Sequence, residues 1–197
     1  MNARAWQIQS LLIGYPDDSL CGKAGLLAEA AGTLPEPVGG PLLRFLGHLA
    51  TTPQSRLAED YVATFDHRKR CCLFLTYYAH GDTRNRGMAL LELKQRYAAD
   101  GLILTGEELP DHLSVVLEYA AIAPPAGREL LAEHRAGLEL LRLALHDAPS
   151  PWAAVLDSIA ATLPPLAGDQ RTAVARLAAA GPPAEKVGLA PFGGRSR

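Results

Sequence analysis

Apolar residues recur along most of this chain at three- and four-residue intervals, the period of a helix that buries one face. After Ser150, the residues Trp152, Val155, Leu156, Ile159 and Leu163 share one side of a helix, and Pro164-Pro165 stops it. Leu131, Leu138, Leu141 and Leu145 make a second stripe on a segment from about Arg128 to His146, with Glu129, Glu133, Arg135 and Arg142 for its wet side. Thr52-Pro53 and Ser150-Pro151 each offer a hydroxyl for the N-cap and a proline for the first helical position. Asp17 predicts a helix through Ala31, Thr83 one to about Ala99, and Asp169 one to Ala180, while Gly101 and Gly181 suit helix ends. Further helices are expected before Gly14, over Leu42 to Ala50, over Gln54 to Phe65, and around Cys72 and Val116, which makes about nine or ten.

Alternating runs that could form strands are nearly absent, the best being Leu102-Ile103-Leu104, which is too short for a sheet. Pro35 to Pro41 reads as a turn-rich connection, and Gly181 to Arg197 as a mobile tail. The expectation is one all-α domain over residues 1–180 with a flexible C-terminal tail, 181–197. Composition agrees: 48% of residues are hydrophobic, yet only four are Phe and two Trp, so the core must come from Leu, Ala, Val and Ile.

Nineteen basic against 21 acidic residues leave a formal charge of −2, which gives no overall field toward nucleic acid or an anionic membrane. The three cysteines are odd in number, and the adjacent Cys71-Cys72 pair has the wrong geometry for an ordinary bridge, which suits a reducing compartment. Gly14-Tyr15-Pro16-Asp17 ends the first apolar stretch before a signal-peptide core could form, and no run of roughly 18 apolar residues occurs. These features predict a cytoplasmic protein without direct membrane insertion.

Motifs that carry enzyme mechanisms are missing: no phosphate-cradling Gly-x-x-x-x-Gly-Lys, no Gly-x-Gly-x-x-Gly, no Cys-x-x-Cys and no His-Glu-x-x-His. His80-Gly81-Asp82 reads better as a helix-capping turn than as a ligand pair, since metal sites want three or four ligands. No metal, cofactor or catalytic residue is assigned.

Polar density collects around Asp66-His67-Arg68-Lys69-Arg70, an apolar and aromatic run from Cys71 to Ala79, and His80 to Gly87. Two readings stay open. In one, the arginines form a solvated turn, Tyr77 and Tyr78 are half-buried core, and Asp82 and Thr83 cap a helix. In the other, rings and arginines beside a helix end form a groove for an amphipathic peptide. Cys71 and Cys72 are expected to pack as apolar residues, not to act as redox centres. Glu107 to His112 suggests a helix starting at Pro110, with Asp111 in its N-terminal field.

Tyr61-Val62-Ala63-Thr64-Phe65-Asp66, the string from His80 to Gly87, and Glu108-Leu109-Pro110-Asp111-His112-Leu113 resemble the NarJ-type chaperones in order and spacing. Gly14-Tyr15-Pro16-Asp17 and Leu117-Glu118-Tyr119 extend the match over roughly the first 120 residues. The resemblance implies a TorD-like single-domain helical bundle. It implies a system-specific chaperone that binds the N-terminal segment of the apo catalytic alpha subunit of nitrate reductase. It further implies assistance with molybdenum cofactor insertion before membrane docking, with molybdenum cofactor biosynthesis proteins as further partners.

Peptide recognition would fall to Tyr77, Tyr78, His80, Gly81, Asp82, Thr83, Arg84, Arg86, Gly87, Asp111 and His112. A monomer or a helix-swapped dimer would fit such a bundle. Two alternatives remain: a chaperone of the same fold for a dimethyl sulfoxide or trimethylamine oxide reductase, and a helical metal-dependent hydrolase using His80, Asp82, Asp111 and His112.

Overall fold

A computed structural model describes residues 2–105 and 108–180. Among these residues there are twelve α-helices, one short 3-10 turn and no strand. They run α1 (Asn2–Ile13), α2 (Asp18–Gly22), α3 (Ala24–Gly32), α4 (Glu36–Thr51), α5 (Gln54–Phe65), α6 (Leu75–His80) and α7 (Arg84–Ala99), then α8 (Leu113–Ile122), α9 (Pro124–Glu133), α10 (Arg135–Asp147), α11 (Ala153–Ala161) and α12 (Gly168–Ala180). The 3-10 turn, Lys69–Cys71, lies between α5 and α6. The expected tail, 181–197, lies outside the described residues.

The count exceeds the expected nine or ten because two predicted helices are broken. The helix expected from Asp17 to Ala31 divides at Lys23, whose N–H closes back on the Leu20 carbonyl at 3.0 Å. Gly22 and Gly25 flank this break, and glycine is the weakest helix former after proline. The long helix expected over Arg128 to His146 divides at His134 (φ −92°, ψ 12°), and its first half starts earlier, at Pro124. Both halves keep the predicted leucines buried, so the periodicity survives the bend.

Capping was less legible. Asp17 behaves as predicted, its carboxylate accepting from the Leu20 N–H at 2.8 Å. Thr52 instead turns its hydroxyl back to the His48 carbonyl, Thr83 bonds the His80 carbonyl, and the buried Ser150 hydroxyl has no partner among the described residues. Pro35 to Pro41 is mostly helix: α4 starts at Glu36 and carries Pro41 inside it. The lost N–H bond is offset by burial of Val38, Pro41, Leu42 and Phe45 on the same face.

The core is one contiguous cluster in which α1 packs on α8 and α11, α4 on α3 and α11, and α10 on α11. Trp152 sits at its aromatic centre, with the rings of Phe45, Tyr61 and Phe65 at 5.5–5.6 Å. A buried polar seam fixes how the helices register. The Gln9 amide donates to Ser158 Oγ at 2.8 Å, Ser158 Oγ donates to the Val38 carbonyl at 2.7 Å, and the Trp6 indole N–H donates to Thr162 Oγ1 at 3.0 Å. Three helices, α1, α4 and α11, are thereby joined by directional bonds that apolar packing alone would leave free to slide.

At the α8–α9 crossing, a Cβ on Gly127 would stand 2.1 Å from Ala120 Cα, so only glycine allows this approach. Gly47, in contrast, has open space around it within α4. Gly127→Ala is therefore expected to destabilise the fold by about 2 kcal/mol or more through overpacking, while Gly47→Ala is expected to stabilise it by about 0.5–1 kcal/mol through helix propensity. Urea unfolding of both variants measures the contrast, and equal midpoints would contradict this packing.

Candidate functional site

The string from Leu73 to His112 is organised around one buried carboxylate. Asp111 is fully buried although it lies outside any helix, because α8 begins at Leu113 rather than at the expected Pro110. Its backbone carbonyl accepts from the Leu75 N–H at 2.9 Å, and its Oδ2 accepts from the Thr76 N–H at 3.3 Å and from the Thr76 hydroxyl. These are the first amides of α6, so Asp111 caps that helix from 35 residues away, with its negative charge at the positive helix end. The Leu113 N–H returns a bond to the Leu73 carbonyl at 2.9 Å, and Phe74 and His112 form an isolated antiparallel bridge. Tyr97 completes the clamp, its hydroxyl donating to the Pro110 carbonyl at 2.7 Å.

Arg86 reaches this hub from α7. Its Nη2 faces Asp111 Oδ2 at 3.6 Å, an ion pair just beyond hydrogen-bond length, and its Nε donates to Thr76 Oγ1 at 3.3 Å. The guanidinium lies 5.3 Å from the Phe74 ring centre, and Nη1 meets the exposed Asp82 carboxylate at 3.4 Å. His112 packs edge-on against Phe74 and bonds Ser114 Oγ through Nδ1 at 2.7 Å. The sequence did not single out Phe74 or Thr76. The only signal for Thr76 was a lone polar residue inside an apolar run.

The predicted site residues therefore divide. Asp111, His112 and Arg86 belong to the buried hub and hold α6 in place. Gly81 ends α6 with φ 58° and ψ −156°, a conformation that favours glycine, and donates its N–H to the Tyr77 carbonyl at 2.7 Å. His80 is half-buried, and Thr83, whose hydroxyl bonds the His80 carbonyl, leads into α7. Arg84 and Gly87 lie on the exposed first turn of α7. Asp111 and His112 are engaged as described, and no three His, Cys, Asp or Glu side chains among the described residues converge as metal ligands.

Tyr77 and Tyr78 face a different feature, a groove of about 830 Å³ between the 3-10 turn, α6 and α10. Leu140, Leu143 and Ala144 of α10 supply its apolar wall, and Arg68, Lys69 and Arg70 its basic lip, with Asp147 at the other edge. Tyr78 is buried core: its hydroxyl donates to the Arg70 and Cys72 carbonyls at 3.1 and 2.9 Å, and burial pushes its phenol far up. Tyr77 is half-buried, lines the groove and packs edge-on against Tyr78 with ring centres 6.2 Å apart. A Cβ on Gly137 of α10 would come within 3.0 Å of Tyr78, so this glycine lets α6 and α10 meet. Cys71 is buried and Cys72 half-buried, and burial raises both thiols, the setting of packing residues. The sequence could have shown the α10 wall, because leucines at 138, 140, 141, 143 and 145 occupy more than one helical face.

Residues 31–157 match the family of the nitrate reductase delta subunit. Over 159 residues the chain is 39% identical to the nitrate reductase-like protein NarX of Mycobacterium tuberculosis H37Rv, which covers 80% of this chain but 24% of that protein. It is 33% identical to NarJ of Bacillus subtilis 168, covering 78% of this chain and 85% of the relative. The nitrate reductase molybdenum cofactor assembly chaperone NarJ of Escherichia coli K12 is 34% identical over 76% of this chain and 65% of its own length. The chain thus spans about a quarter of NarX and somewhat under two thirds of the E. coli relative. A crystal structure from Archaeoglobus fulgidus, described as a redox enzyme maturation protein, superposes with a TM-score of 0.64 at 23% identity, over 82% of this chain and 93% of that one. This likeness shows the fold, and the all-helical bundle expected from the sequence is the one found.

Removing the Asp111 carboxylate takes the buried partner from the Arg86 guanidinium and the acceptor from the Thr76 amide and hydroxyl, so Asp111→Ala is expected to lose about 3–5 kcal/mol in urea unfolding. Asp111→Asn, which keeps an acceptor, should lose less. Equal and small effects would show that the hub is not a stability anchor.

Burial also pushes the imidazoles of His112 and His134 below their usual value, against the opposing pull of Glu108 and Asp111 on the first and of Glu133 and Asp111 on the second. Between the folded values and about 6.5 the unfolded chain binds more protons, so stability is complete above about pH 6.5 and falls as the pH drops below it. Arginine pairing lowers Glu133 and Glu139, whose contribution fades only below about pH 4.5. Unfolding midpoints at pH 8, 6 and 5 should therefore decline, and His112→Asn with His134→Asn should flatten that decline; an unchanged slope in the double variant would refute the assignment.

Proposed function

The chain belongs to the nitrate reductase delta subunit family, and from that premise we propose that it is a system-specific chaperone for a respiratory nitrate reductase. In this reading it binds the N-terminal segment of the apo catalytic alpha subunit and assists insertion of the molybdenum cofactor before membrane docking, working in the cytoplasm and catalysing nothing itself. The E. coli relative, a nitrate reductase molybdenum cofactor assembly chaperone, supports the role. No helix among the described residues is long and apolar enough to cross a membrane.

The observation that carries the reading is the groove. Its lining from Arg68 to Ala148 lies wholly within the span 31–157 shared with the family. An apolar wall of Leu140, Leu143 and Ala144 beside the Tyr77 ring, with charges along the edges, is the chemistry that receives an amphipathic helix. The buried hub acts one step behind it. Asp111 and Arg86 fix the start of α6, and α6 carries Tyr77 to the groove edge. Of the residues assigned to peptide recognition, Tyr77 is thus the contact residue, and Asp111, Arg86 and Gly81 are positioning residues.

A synthetic peptide copying the first fifteen or so residues of the catalytic subunit tests this by calorimetric titration. Tyr77→Ala should weaken binding by about 1–3 kcal/mol, as loss of an aromatic anchor does. Arg68→Ala should weaken it by under about 1 kcal/mol and mainly alter its salt dependence. Tyr78→Phe should lower stability through its two lost carbonyl bonds while leaving affinity nearly unchanged. Absence of saturable binding, or wild-type affinity in Tyr77→Ala, would remove the groove from the mechanism.

A further inference from the structure

The third wall of the groove belongs to the chain's own last described helix. Leu177, Ala178 and Ala179 of α12 line the groove together with Tyr77, Leu140 and Leu143. Helix α12 lies on α10, and its half-buried residues Gln170, Ala173, Val174 and Leu177 follow the i, i+3, i+4, i+7 spacing of a helix laid on a partner by one face. That spacing and that landing place are what a client helix would use.

Its attachment is slight. None of its described side chains is buried, whereas each of α3 to α11 buries at least two residues. Among the described residues it makes no salt bridge; Gln170 Oε1 accepts from the Ala167 N–H just before the helix at 3.0 Å, and its side-chain bond to another helix is Gln170 Nε2 to the Ala132 carbonyl at 3.5 Å, the limit of hydrogen-bond length. Leu163 is the last residue buried in the core, and in the connection Pro164, Pro165 and Ala167 are exposed while Leu166 is half-buried. Beneath α12, Leu143 is still 42% exposed, so the α10 face is only partly covered. Segments with few buried contacts open locally at low free energy.

We infer that α12 is a displaceable occupant of the α10 face, so that an amphipathic client helix and α12 compete for the Leu140–Leu143–Ala144 surface. The inference rests on the groove reading above and adds its regulation: the chaperone fills part of its own binding site until a client helix arrives, which keeps part of the apolar wall covered. The free protein presents the complete wall only in the fraction of molecules whose α12 is lifted, and the apparent affinity is lowered by that fraction.

The full-length chain carrying Val174→Asp with Leu177→Asp places charge on the docking stripe of α12 and touches no core residue. It should bind the same N-terminal peptide at least about 5-fold more tightly than wild type. In the wild type, hydrogen exchange should show that α12 amides lose protection when the peptide saturates the groove, while α1 and α8 keep theirs. Should the double variant lower the unfolding midpoint, Ala173→Pro, which breaks α12 without adding charge, makes the same comparison. Equal affinity in wild type and variant, with α12 amides still protected in the wild-type complex, overturns the inference and leaves the groove reading intact. If neither protein binds the peptide, the groove reading falls and this inference falls with it.

Discussion

The local architecture from Leu73 to His112 depends on a single carboxylate that has been taken out of water. A buried negative charge is tolerable only where donors surround it, and the Asp111 carboxylate finds them at the amide and hydroxyl of Thr76 in α6 and in the Arg86 guanidinium. This turns a six-residue helix, too short to be stable alone, into a fixed element. Asp111 Oδ1 and Arg86 Nη2 are buried without hydrogen-bond partners among the described residues, which marks the hub as a device for position more than for maximal stability. Phe74 below the guanidinium and Tyr97 at the Pro110 carbonyl lock the remaining freedom.

Helix α10 answers a different constraint, since it must serve two surfaces at once. Leu138, Leu141 and Leu145 face the core, while Leu140, Leu143 and Ala144 face the groove. Its polar residues are confined to what is left. Glu139 is held between Arg135 and Arg142, and Asp157 on α11 takes Arg142 and His146 at 3.1 and 2.9 Å. This network ties α10 to α11 along its polar side, so the apolar groove face can stay available without α10 itself becoming loose. Stability thus comes from one side of the helix and binding capacity from the other.

The division between hub and groove also explains why a dense string of polar and aromatic residues need not be a contact surface throughout. From Tyr77 to Gly87 the residues are neighbours in sequence, yet Tyr77 meets the groove, Arg86 points to the buried carboxylate, and Gly87 has open space around it. A contiguous motif here encodes a short helix, its end and the start of the next, each with its own partner.

The sequence by itself determined that the protein is helical, because a 3.6-residue apolar period is a local property visible in residues such as Trp152, Val155, Leu156 and Ile159. It also determined the Asp17 cap, whose partner is three residues away, and the family resemblance carried by short strings. Tertiary structure alone decided the rest. Thr52, Ser150 and Thr83 had the chemistry of caps, but the neighbours available to their hydroxyls directed them elsewhere or nowhere. Lys23 and His134 broke helices that periodicity had run together, because an apolar stripe continues across a bend as readily as along a straight helix. Above all, Asp111 read locally as a residue in the first turn of its own helix, and it became the cap of another helix 35 residues earlier. Period and short-range caps are written in adjacent residues, whereas the partner of a buried charge is chosen by the folded chain.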